Sequence, residues 1–88
     1  MKVIVPEGVL ARELQGESVL LNLNTESYFG LDEVGTDMWR ALTTSESVEA
    51  AYQMLLTQYD VEPERLRQDL NELIEKLVEQ GLIEIRDA

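Results

Sequence analysis

The chain has 88 residues, 18 acidic and 7 basic side chains, a formal net charge of −11, and neither cysteine nor histidine. Those absences remove disulfides, thiolate nucleophiles, most zinc sites and the usual general base near neutral pH. A field of this sign repels phosphate backbones and anionic headgroups, so nucleic acid and membrane surfaces are poor partners and a cationic protein segment is a better one.

The length predicts a single domain over residues 1–88, with one modest core and no room for a deep enclosed active site. The opening Met1–Pro6 is too short for the apolar core of a signal peptide, and no apolar run approaches ~18 residues. The chain therefore reads as an intact cytoplasmic protein.

The first third predicts sheet. Val9–Leu14 forms a strand that leads to Gln15-Gly16-Glu17, where Gly16 supplies positive φ for a tight turn. In the next strand Val19, Leu21 and Leu23 alternate with Leu20 and Asn22, which predicts a strongly apolar face made of the first three. Asn24-Thr25-Glu26 reads as a turn, with Asn24 suited to left-handed backbone angles. A third strand follows, with Phe29 and Leu31 on one face and Tyr28 and Gly30 on the other. The short connections predict an antiparallel meander of three strands. The third strand has no obvious later partner, so its free N–H and C=O groups form an edge that an extended peptide can join.

Three helices follow. Asp32 caps the first, whose stripe is Leu31, Val34, Met38, Ala41 and Leu42, with Trp39 closing the core from the side. Ser47 caps the second, and Val48, Ala51, Tyr52, Leu55, Leu56 and Tyr59 form its amphipathic stripe. The third starts at Pro63 and stops at Gly81. Its stripe of Leu66, Leu70, Leu73, Ile74, Leu77 and Val78 is wider than the ~100° usual for docking on one surface. Such a helix has contacts on two sides, the second being either more core or a partner. Leu82–Ile85 reads as a short terminal strand or an irregular tail.

The acidic pairs Asp32/Glu33, Glu62/Glu64 and Glu72/Glu75 lie at helix starts or on polar faces and match no calcium or phosphate pattern, so neither a metal, a cofactor nor catalysis is expected. A sheet with three helices admits a winged-helix reading. Helix three, however, carries six acids (Glu62, Glu64, Asp69, Glu72, Glu75, Glu79) against Arg65, Arg67 and Lys76, the wrong balance for DNA.

Leu20-Leu-Asn-Leu23, Tyr28-Phe-Gly-Leu-Asp32, Val34-Gly35 with Trp39, Ser47-Val-Glu49, Tyr59-Asp-Val61 before Pro63-Glu64, and Asp69 with the run to Leu82 together resemble the PqqD family, from about Val9 to Leu82. The resemblance implies an α+β fold, a three-stranded antiparallel sheet packed on three helices. It also implies a recognition element for ribosomally made, post-translationally modified peptides, expected here as a free-standing domain although the fold also occurs fused to enzymes. The leader of a precursor peptide would add as a fourth strand beside the third strand, with its side chains in the cleft against helix three. Ladder bonds would run through Thr25, Glu26, Ser27, Tyr28 and Phe29. Tyr28, Leu66, Asp69, Leu70, Leu73 and Lys76 would line the pockets. Two assignments compete within the family. A lasso-peptide leader binder would serve a separate leader peptidase and cyclase, and is favoured because Val3–Glu13 lacks a longer lead-in. A quinone-synthesis chaperone would instead serve a radical S-adenosylmethionine enzyme. An acidic adaptor docking a protein through its helices is the alternative of another class, and the chain is expected as a monomer or a weak dimer.

Overall fold

The computed structural model describes residues 1–87. Along it run β1 (Lys2–Ile4), β2 (Val9–Leu14), β3 (Glu17–Asn22), β4 (Ser27–Leu31), α1 (Glu33–Thr44), α2 (Val48–Gln58), α3 (Pro63–Glu79) and β5 (Glu84–Arg86). Strands β2, β3 and β4 form the expected antiparallel meander in sequence order, and α1 packs against β3 and β4. The fold is α+β, a three-stranded antiparallel sheet with three helices.

The β2–β3 hairpin closes through a two-residue turn in which Gln15 as well as Gly16 has positive φ (55° and 86°), the signature of a primed turn. The next turn departs from expectation. Its left-handed residue is Glu26 (φ 58°), not Asn24. Asn22 organises it instead, since its Oδ1 accepts from the amides of Asn24 (2.9 Å) and Thr25 (3.3 Å).

The sidedness of β3 is the reverse of that expected. Ser18, Leu20 and Asn22 are buried, whereas Val19 (40% exposed) and Leu23 (58%) face outward. Two polar side chains are tolerated inside because each finds a partner. Ser18 Oγ and Thr36 Oγ1 share a hydrogen bond of 2.8 Å, and Asn22 Nδ2 donates to the Gly81 carbonyl at 3.2 Å. Leu20, fully buried, supplies ~1.5–3 kcal/mol of apolar burial on that face.

The helices start and stop where their residue types demand. Asp32 accepts from the Gly35 amide (2.8 Å) and Ser47 from that of Ala50 (3.0 Å). Pro63 opens α3, and Gly81, at φ 71°, lets the chain turn back so that the Leu82 amide reaches the Leu77 carbonyl at 2.9 Å. Met38, Trp39 and Leu42 of α1, Tyr52 and Leu55 of α2, and Leu66, Leu70, Ile74 and Leu77 of α3 close the core over Leu20 and Leu31. Val34 and Val78, although on the predicted stripes, are exposed.

A second ladder was not legible beforehand. Strand β1 pairs antiparallel with β5, Val3 opposite Ile85, which resolves Leu82–Ile85 into buried Leu82 and Ile83 followed by a strand. The Met1 carbonyl also accepts from the Val48 amide (2.9 Å), tying the start of the chain to α2.

Candidate functional site

Hydrogen-bond parity fixes which backbone groups face out of the sheet. Leu14 and Glu17 close a two-residue hairpin and so form a bonded pair, which makes Glu17, Val19 and Leu21 bond towards β2. The Leu23 amide bond to the Gly8 carbonyl (2.9 Å) continues the same parity. Ser18, Leu20 and Asn22 therefore bond towards β4, where they face Leu31, Phe29 and Ser27. The N–H and C=O of Tyr28 and Gly30 are left pointing away from the sheet, and no strand pairs with them among the described residues.

Strand β2 is also an edge, but its residues are mostly exposed, and α1 reaches it through the ion pair of Arg40 with Glu13. The β4 edge is different, because α3 walls it. A groove of about 460 Å³ runs between Phe29, Gly30 and Leu31 of β4, the cap residue Asp32 with Val34, Gly35 and Met38 of α1, and Asp69, Glu72, Leu73 and Lys76 of α3. It continues, through the shared residues Val34, Met38 and Asp69, into a more enclosed apolar hollow of about 210 Å³ bordered by Tyr59, Val61, Arg65 and Leu66.

The expected site residues separate on these walls. Phe29, Asp69, Leu73 and Lys76 come together in the groove, and Leu66 reaches the floor of the adjoining hollow. Ser27 opens β4. Thr25 and Glu26 are not in the strand: they belong to the turn, and the Thr25 amide is already committed to Asn22. Tyr28 does not line the cleft. It stands 77% exposed on the opposite face of the sheet, as strand alternation requires. Leu70 is core.

Besides buried Leu66, the α3 face presented to the groove and hollow is Arg65, Asp69, Glu72, Leu73 and Lys76, spaced i, i+4, i+7, i+8 and i+11. It is rotated towards the polar side of the predicted stripe. Helical spacing alone would have picked out that row, mixed in charge and with Leu73 at its centre. Gly30, Val34, Gly35 and Met38 were missed as site residues because they belong to the strand–helix junction, whose fold over the groove no local pattern records.

Charge in the groove is mixed. Arg65 pairs with Asp69 (3.3 Å), and Lys76 lies among Asp69 and Glu72 without an ion pair among the described residues. At the end of the hollow, the Tyr59 hydroxyl donates to Asp37, which also accepts from Gln58 (3.1 Å) and pairs with Arg40 (3.5 Å). The hydrogen bond to Asp37, burial and the carboxylates of Asp37, Glu33 and Asp32 push the Tyr59 hydroxyl up to about 12. No group of three or more acids is placed to hold a metal among the described residues. No helix among them is long and apolar enough to cross a membrane. A free edge with a groove beside it can hold an extended chain through backbone bonds and sort its side chains by pockets.

The fold and the walled edge define a small α+β domain with an unpaired sheet edge beside a groove. The sequence matches the family described as coenzyme PQQ synthesis protein D (PqqD) over residues 17–83, and the chain belongs to that family. It is similar over the full length of both chains to TbiB1, solved in complex with the TbiA(beta) leader peptide, at 30% identity and a TM-score of 0.86. The fold also matches lasso peptide synthetase B1, solved with its leader peptide, at 20% identity and a TM-score of 0.84, over 97% of this chain and 100% of that one. No curated protein matches the sequence.

Proposed function

We propose that this domain is a non-catalytic binder of precursor-peptide leaders. It captures the leader as an added strand on β4, inside the groove against α3, and delivers the precursor to separate modifying enzymes. The observation that carries this reading is the pair of outward-facing residues Tyr28 and Gly30 on an edge walled by α3. The likeness to TbiB1, whose structure holds a leader peptide, supports it. Backbone bonds give affinity that tolerates sequence variation, and the groove selects among leaders. Holding the precursor raises its effective concentration at the enzyme without any chemistry in this domain. We favour a lasso-type system with a leader peptidase and a cyclase, supported by a fold shared with lasso peptide synthetase B1.

The test is titration of a labelled cognate leader against Tyr28→Pro and Tyr28→Ala. Proline at this edge position removes an outward donor without touching the β3 ladder. The proline variant loses affinity about tenfold or more relative to the alanine variant, the effect of roughly one charge-free ladder bond left unmade. Equal affinities would sink strand addition.

A further inference from the structure

We propose that the outer face of the sheet carries a second reading position for the bound peptide, a notch over Gly30 that takes one large apolar side chain. The inference rests on strand addition at β4 and names a selectivity that the α3 groove does not supply.

Three cross-strand rows make the outer face: Leu10–Leu21–Tyr28, Arg12–Val19–Gly30, and Leu14–Glu17. Large side chains stand in the first and last rows, with Tyr28 and Leu14 both about three-quarters exposed. The middle row drops to glycine at the edge. A hollow of about 540 Å³ lies over it, with Val19 and Leu14 as apolar lining, Arg12 to one side and Glu17 and Asp32 at one end.

The fold itself gives no reason for glycine at this position. Gly30 is not among the residues with positive φ, so its backbone suits any strand former. A Cβ built on it would meet nothing within 4 Å, so no neighbour needs the space. Glycine inside a strand costs stability and commonly marks the close approach of another chain. The approaching chain here is the added strand. Tyr28 and Gly30 are the residues whose ladder groups face outward, and a peptide residue opposite Gly30 projects its side chain on the same face as Gly30. Its two neighbours project into the α3 groove. The bound peptide is therefore read on both faces, and the residue opposite Gly30 leans across the missing side chain onto Val19. The apolar lining selects a large apolar side chain, and Glu17 and Asp32 disfavour a carboxylate.

The test is selection of displayed random peptides against the wild-type chain and against Gly30→Val, with melting curves to confirm that both are folded. Valine keeps both backbone groups and fills the notch. Peptides selected by the wild type show an alternating pattern with large apolar residues enriched at one outward position. Enrichment at that position falls about tenfold on Gly30→Val, the effect of leaving one such side chain unburied, while the inward positions keep theirs. Val19→Thr, nearly isosteric on an exposed position, weakens the same preference and serves if the valine variant does not fold. Identical patterns from wild type and variants overturn the notch but leave strand addition standing. Failure to select any peptide with the wild type overturns strand addition itself, and the notch with it.

Discussion

Ser18 on β3 and Thr36 on α1 share a buried hydrogen bond of 2.8 Å, a polar link across the seam between the sheet and α1. It pins the first turns of α1, and with them the groove wall of Asp32, Val34 and Gly35, to the strand next to β4. Ser18→Ala or Thr36→Val alone leaves one hydroxyl buried without its partner, which costs ~1–3 kcal/mol. The double variant removes both hydroxyls and returns most of that loss. Urea unfolding of all four combinations measures the coupling, and strictly additive losses would contradict it.

The same seam shows what the sequence conveys and what it does not. Asp32, Ser47, Pro63 and Gly81 mark helix ends through local chemistry, so the three helices are readable from residue type and spacing. Strand alternation in Ser18–Leu23 is equally plain, but it gives only the phase and not which face is covered. Counting apolar residues favours Val19, Leu21 and Leu23. The helices cover Ser18, Leu20 and Asn22, because Thr36 and the Gly81 carbonyl, 18 and 59 residues away, satisfy the two polar side chains. That inversion also moves Tyr28 out of the cleft. The β1–β5 ladder was illegible for a related reason: each strand has three residues, and their partners lie at the far end of the chain. On α3, stripe width signalled a second contact side, yet the groove face is centred on Asp69 and Leu73 rather than on Leu70.

The observed face of β3 makes a direct prediction. Leu20→Ala removes a fully buried side chain and lowers stability by ~2–5 kcal/mol. Val19→Ala, at an exposed position one residue away, changes it by less than ~1 kcal/mol. Thermal or urea unfolding separates the two, and a larger loss at Val19 would restore the sidedness expected from composition.

Alkaline pH reports on the end of the apolar hollow. The Tyr59 hydroxyl titrates near 10 in an unfolded chain and is pushed up to about 12 here, chiefly by donating to Asp37. A group harder to ionise in the folded state stabilises the fold fully below pH 10, and that contribution is lost as pH rises towards about 12. Tyr59→Phe removes this pH dependence while keeping the ring. Urea midpoints of wild type and Tyr59→Phe should converge across the window, and a constant separation from neutral pH through its upper end would show that the Asp37 bond contributes nothing there.

The sharpest discrimination between the two sides of α3 comes from adding the same charge at two nearby positions. Leu73 lines the groove beside Asp69 and Lys76, whereas Asn71 is exposed on the opposite side, near Arg67 and Tyr52. Leu73→Asp places a carboxylate where an apolar side chain of the added strand would pack, and weakens leader binding by about tenfold or more, ~1.4 kcal/mol per decade. Asn71→Asp adds an identical charge to the same helix and leaves the affinity within about twofold, since exposed charges at this distance are screened. Melting curves on both variants separate a binding effect from a loss of fold. If Asn71→Asp weakened the leader as much as Leu73→Asp, the peptide would be responding to net charge rather than to the groove beside β4, and a docking mode through the other face of α3 would take its place.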